Sequence, residues 1–332
     1  MPTLSVANPT ILDVANRTMP DGTLDRQIVE MLHQQNQCWA EATVLEGNDG
    51  SGYKTTVRTG IPEGTWRKMY GGVPEKKTTA AQVRDAAGML ENYSTIDKAL
   101  ADQNGGSASW RLSEESGFIE GMNQQVARTL FYGDTTLNQE RFMGLAPRFA
   151  HSTAAESGAN IIKGGGSGAD NTSIWIVSWH PTTCFLFYPK GSKAGLTARD
   201  LGEQTVLDGS GNPFQAYRTH YKHDIGLCVR DWRSIVRIPN IDISDLTKTG
   251  STGADLVDLV IQGLEMLPDS AGVGRTAIYC NKTIRSVFRR QIRNSNNVNL
   301  SLADVAGKKV VMFDDVPVRR VDQITNTEAL VA

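Results

Sequence analysis

The run from Ser113 to Phe149, SEESGFIEGMNQQVARTLFYGDTTLNQERFMGLAPRF, constrains the fold of this chain more than any other stretch. Phe118, Met122, Val126 and Leu130 recur every four residues, with Ile119 and Ala127 beside them, while Glu115, Glu120, Asn123 and Arg128 fall off that stripe. Apolar side chains at this spacing line one face of an α-helix, and another element must cover them. Ser113 is the predicted N-cap, Glu114 and Glu115 complement the dipole in the first turn, and Gly133 stands past the end as a stop. At 1.5 Å per residue the helix should run roughly 30 Å. The junction reads as a packing element, not a reaction centre.

Upstream, an amphipathic segment runs from about Leu24 to Leu45, in which Leu24, Ile28, Met31, Leu32 and Trp39 either pack on a neighbour or fold back on the chain's own core. Glycines at 47, 50, 52, 60, 64, 71 and 72 punctuate two strand-like runs, Tyr53 to Arg58 and Thr65 to Tyr70, which predicts a long polar hairpin. It carries Lys54, Arg58, Arg67, Lys68, Lys76 and Lys77 against few acids. A two-stranded ribbon is marginal in water, so a long one either lies on something else or stays solvated. Ala80 to Leu100, rich in alanine, reads as helical.

Beyond Phe149 the glycine-rich run Gly158 to Gly168 is a loop. It lacks a following Lys-Ser/Thr and leads into a strand, so it is not a phosphate cradle, which needs a helix N-terminus behind it. Trp175 to His180, Cys184 to Tyr188, Gln215 to Tyr221, Ile225 to Arg230 and Ser234 to Ile238 are short β runs separated by turn residues, and a β-meander is the simplest arrangement. A helix from about Asp255 to Leu267, a strand Ala277 to Cys280, a helix capped by Asn281 and a strand pair Lys309 to Phe313 and Val316 to Val321 follow. In the second helix Ile284, Val287, Phe288 and Ile292 form one face, and Arg285, Arg289, Arg290 and Arg293 crowd the other.

Several function classes are disfavoured. With net charge -2 the chain is not broadly basic, unlike a protein whose binding rests on phosphate neutralisation. No stretch approaches the ~18 apolar residues needed to cross a bilayer, and the first twenty residues lack a secretion signal, so a soluble protein made in the cytosol is expected. Met1 is a hint that no N-terminal segment is cut away. Cys38, Cys184, Cys228 and Cys280 have no CxxC pairing and read as small buried hydrophobes. His220 and His223, near Asp224 and Cys228, are three apart in a strand-like run, which puts the imidazoles on opposite faces and argues against a metal. Asp314-Asp315 belongs to a tight turn. No serine or cysteine sits in the setting of an activated nucleophile, so neither an enzyme nor a cofactor is expected.

Phe131-Tyr132-Gly133-Asp134 through Asn138, then Arg141 to Phe149, resembles the "helix, GD/GN loop, F-x-G-L" segment of tailed-bacteriophage major capsid proteins. Tyr279 to Arg285 leading into Phe288 to Gln291, and Asp315 to Asp322, are similar to the "strand, N-x-T, helix" and "G-x-P-V" segments of the same proteins. The resemblance points to capsid proteins of short-tailed phages, such as one infecting Bordetella. The resemblance implies the α+β, Hong Kong 97-like capsid fold, with an N-terminal arm (1–45), an extended β-hairpin loop (46–82), a peripheral domain with spine helix and β-meander (83–245) and an axial domain (246–332). The chain stops about ten residues past Asp322, where the family carries a terminal meander, so an altered connection order is expected.

By the same resemblance the protein is the self-assembling subunit of an icosahedral head built from hexamers and pentamers and assembled in the bacterial cytoplasm. Its head encloses double-stranded DNA without sequence-specific binding, in company with scaffolding, portal and decoration proteins. Lys54, Arg58, Trp66, Arg67, Lys68, Lys76 and Lys77 are the expected intersubunit contacts. The arginine face of the second helix has three uses, solvated, intersubunit or facing DNA, and the first two are favoured. The alternatives are a minor virion protein, such as a tail or decoration subunit, and a soluble ligand-binding module.

Overall fold

The computed structural model describes residues 34–103, 108–153, 156–247, 253–268, 274–294, 300–305 and 308–332. The apolar residues Leu24, Ile28, Met31 and Leu32 of the expected arm lie outside them. Thirteen strands and four α-helices occur among the described residues: β1 Val44–Glu46, β2 Gly52–Gly60, β3 Thr79–Ala86, β4 Gly88–Asp97, α1 Lys98–Gln103, α2 Ala108–Tyr132, β5 Asn171–Trp179, β6 Cys184–Tyr188, β7 Leu196–Leu207, β8 Pro213–Val229, β9 Ile235–Asp242, α3 Leu256–Glu265, β10 Arg275–Cys280, α4 Lys282–Asn294, β11 Leu300–Val305, β12 Lys308–Phe313 and β13 Val316–Arg320. They divide into two units, each discontinuous in sequence. Among the described residues one holds Gln34, 89–126 and 195–223, and the other holds 35–88, 127–194 and 224–332.

In the larger unit β5 is the central strand. It pairs antiparallel with β10 from Tyr279↔Trp175 to Arg275↔Trp179, and antiparallel with β9 from Asn171↔Asp242 to Val177↔Ile235. β13 adds parallel to β10, and β12 and β11 follow antiparallel. At the other end β6 meets β5 at Trp179↔Cys184, pairs antiparallel with the last part of β8, and takes β1 in parallel. The expected meander is therefore corrected. β5 takes β9 and β10 as its long partners and β6 takes β8, so the order skips strands, and β10, a hundred residues on, completes the centre of the sheet.

Every residue of β5 is buried, as befits a strand covered on both faces. Successive side chains alternate. Ile174 and Ile176 join Val236 and Ile238 in a cluster with Leu256, Val257 and Val260 of α3 and Ile284, Val287 and Phe288 of α4. Trp175 points the other way, with Phe131 of α2 at 6.2 Å and Phe149 at 6.1 Å between ring centroids. Trp179 Nε1 donates to Tyr279 Oη at 2.8 Å, so the buried indole is satisfied. The helices start where their caps allow. Asp255 accepts from the Val257 and Asp258 amides, and Asn281 Oδ1 accepts from the Ile284 amide at 2.8 Å.

α2 begins at Ala108, five residues before the predicted cap, so Ser113 lies inside the helix. Its end matches expectation. Gly144 and Leu145 fold back to donate their amides to the carbonyls of Gly133 (2.8 Å) and Leu130 (2.9 Å), satisfying groups a helix C-terminus leaves open. That closure requires glycine: a Cβ on Gly144 would lie 2.5 Å from the Thr129 carbonyl oxygen and 2.8 Å from the Gly133 nitrogen. Phe142 and Leu145 are buried beside it, which gives the F-x-G-L pattern its physical content.

The chain's last residues are sewn onto this unit. Glu328 accepts from Arg237 at 2.8 Å, each 5% exposed, and also from Tyr132 and Ser173. Asn240 exchanges two 2.8 Å bonds with the Val331 backbone. The loop after Gly158 spends its amides in the same way, on the carbonyls of Pro239 and Asn240 and on Asp242.

In the smaller unit β7 and the first part of β8 form a hairpin from Leu196↔His223 to Leu207↔Pro213, with β4 beside β8. Its turn is built by Asp208, which accepts from the amides of Ser210 and Asn212, both at 2.8 Å. Gln215 to Tyr221 and Ile225 to Arg230, read as two strands, belong almost entirely to the single strand β8. Glu115, expected on the wet face of α2, is buried and accepts from Thr219 Oγ1 (2.6 Å) and Tyr221 Oη (2.9 Å). His220 stacks on Tyr93 at 4.4 Å, with its Nε2 3.0 Å from Glu91.

Candidate assembly site

β2 pairs with β3 from Gly52↔Ala86 to Gly60↔Thr79, with a register shift between Arg58 and Gly60. The predicted hairpin exists, but its second strand is Thr79–Ala86 and not Thr65 to Tyr70, which lies in the connecting segment 61–78. The helical reading of Ala80 to Leu100 is corrected with it, because β3 and β4 occupy that span up to Asp97. β2 alone is about 30 Å long at the usual rise per residue.

The root of the hairpin is fixed. Tyr53 packs edge-on against Phe185 (5.0 Å) and beside Phe187 (5.8 Å), and Thr55 Oγ1 sits 3.5 Å from Cys228 Sγ. The buried carboxylate of Asp85 meets Arg148 at 2.7 Å, and the same guanidinium donates to the carbonyls of Gly144 and Leu227. The root is thereby tied to the loop that closes α2. Asn48 clips the Lys54 backbone with two 2.8 Å bonds. Asp49 lies 3.3 Å from Lys54 and 3.4 Å from Arg84, and the hydrogen bond from Lys54 holds its carboxyl below the usual range.

The tip is bare. Trp66 and Tyr70 are fully exposed, Met69 is 88% and Ile61 79% exposed, and Val73 is more than half exposed. Of the seven predicted contact residues, Lys54 is at the root with an acid of its own. Lys76 Nζ donates to the Glu63 carbonyl at 2.9 Å. Arg58, Arg67, Lys68 and Lys77 meet no acid among the described residues. Ile61, Met69, Tyr70 and Val73 were not singled out in the sequence, although five apolar side chains in one glycine-punctuated polar segment were there to be noticed. A monomer gains nothing by holding them in water, and exposed apolar clusters of this kind mark contact surfaces.

A second surface is cationic. Lys282, Arg285, Arg289 and Arg290 of α4, with Ser286, line a groove of about 470 Å³ whose far wall is Arg320. No helix among the described residues is long and apolar enough to cross a membrane.

A sequence profile of the family described as major capsid protein GP7 matches residues 19–332. Among solved structures, the chain is similar to one in the near-atomic cryo-EM structure of bacteriophage Epsilon15, with 41% identity over 100% of this chain and 99% of that one and a TM-score of 0.76. It shares its fold with a chain of the bacteriophage JBD30 capsid, at 9% identity over 92% and 98% of the two chains and a TM-score of 0.51. No curated protein matches. With a profile match over nearly its whole length and the Hong Kong 97-like α+β architecture in place, the chain belongs to the GP7 family of phage major capsid proteins.

Proposed function

We propose that the β2–β3 hairpin is the clasp by which this structural capsid subunit holds the next copy, its tip lying on the neighbouring subunit. The observation that carries this reading is the contrast between a root fixed by buried contacts and a tip that exposes Trp66, Tyr70, Met69 and Ile61. Burying one such side chain is worth about 1.5–3 kcal/mol, so four offer roughly 6–12 kcal/mol before ordering costs. Arg58, Arg67, Lys68 and Lys77 alternate with these apolar residues along the chain and supply the polar groups of such an interface. Lys54 and Lys76 hold the clasp in shape from within their own chain.

In this reading the subunits ring into hexamers and pentamers and close an icosahedral head of the short-tailed phage type, assembled in the host cytoplasm around a scaffold and a portal and enclosing double-stranded DNA. The arm, hairpin, peripheral and axial segments keep the roles given above, and no catalytic step is part of it. The test is negative-stain electron microscopy of the purified chain beside Trp66→Ala. Wild type should form shells or capsomer rings, and the variant should need at least tenfold more protein to do so while unfolding at the same temperature as unassembled wild type. Equal assembly by both proteins would refute the clasp.

A further inference from the structure

The groove on α4 is electrostatically incomplete. Among the described residues Lys282, Arg285, Arg289 and Arg290 meet no acid, whereas Arg320 is held by Asp322 through contacts of 2.7 and 2.8 Å. Two of the four uncompensated cations, Lys282 and Arg285, stand at the N-terminal end of α4, where the helix dipole is already positive and no acidic residue occupies the first turn. The Nε of Arg285 is buried and has no acceptor. Burial first, then the neighbouring Arg289, Arg320 and Arg319, lowers the affinity of that guanidinium for its proton. Clustered positive charge with no acid beside it raises the local potential and concentrates anions, polyanions above all.

We propose that this groove is a phosphate-backbone site, binding nucleic acid without regard to sequence and facing the DNA inside the shell. The rise from Lys282 to Arg289 is about 10 Å along the helix, the axial rise of three nucleotide steps on one strand. A second copy of this chain is a poor occupant. Its longest acidic runs are the pairs Glu114-Glu115 and Asp314-Asp315, and Glu115 is buried. The near-neutral chain is not a counter-example, because the positive charge is local. The proposal rests on the capsid reading for the source of the DNA but not for the chemistry of the site.

The test is fluorescence anisotropy of a labelled 20-base-pair duplex titrated with unassembled subunit over a salt series, comparing wild type with the triple variant Arg285→Gln, Arg289→Gln, Arg290→Gln. Each lost phosphate contact should reduce the slope of log K against log salt by about 0.9, so the triple variant should lose nearly three units of slope and more than tenfold in affinity at 50 mM salt. Its shells should still close. Unchanged affinity and slope would overturn the proposal, and so would intact DNA binding with failed assembly, which would make the groove a subunit interface. Should the triple variant not fold, exposed Arg290→Gln alone decides, with one slope unit expected and no change refuting it. Wild type that binds the duplex but never forms shells would leave the site standing and count against the proposed assembly alone.

Discussion

The thiols show how far burial governs individual residues. All four cysteines are buried and free, and desolvation pushes Cys38, Cys228 and Cys280 up to about 12 and raises Cys184 too. A thiol is reactive only as its thiolate. At pH 8 a disulfide reagent should therefore titrate none of the four in the native subunit and all four after denaturation; one fast-reacting native thiol would contradict the packing. Because the folded values lie above the unfolded value of about 8.5, the native state holds these protons longer. This stability is complete below that pH and is lost as pH rises from there toward 12. The buried state of the cysteines was legible from their isolation in sequence. That of Glu115 was not, because its partners Thr219 and Tyr221 lie a hundred residues away and no local pattern announces them.

Elements were legible where their own side chains drive them. α3 and α4 each have an N-cap and an apolar stripe, and β12 and β13 flank a two-residue turn at Asp314-Asp315, where Asp314 takes a φ of 48°. Elements made by pairing alone were invisible. β3 is exposed at every position but Asp85, and β7 shows no apolar run, so each exists because β2 or β8 offers it hydrogen bonds. Alanines at 80, 81, 86 and 87 therefore suggested a helix, and tertiary pairing overrode the propensity. The closure of α2 gives a prediction at this scale. Gly144→Ala should drive its methyl group into the Thr129 and Leu130 carbonyls and the Gly133 amide, costing about 1–3 kcal/mol in denaturant unfolding of the unassembled subunit. An unchanged midpoint would mean that the junction tolerates a methyl group and that the motif is not there for close approach.

At the scale of the whole molecule, the design separates what folds the subunit from what joins subunits. The larger unit is a sheet covered on both faces, closed by its own C-terminal residues through Glu328 and Val331. The apolar hairpin tip and the cationic groove on α4 are left over. The first is the proposed clasp and the second the proposed phosphate site. The capsid identity was legible because its motifs are local packing solutions, the glycine closure after α2 and the capped α4, whereas the sheet order depends on pairings across the chain that no short motif encodes. The most direct test of the clasp is a near-atomic cryo-EM map of the assembled shell, read at Trp66. The account predicts that the indole, fully exposed in the single subunit, is buried against an adjacent copy in hexamers and pentamers alike. An assembled shell in which Trp66 still faces solvent would contradict it.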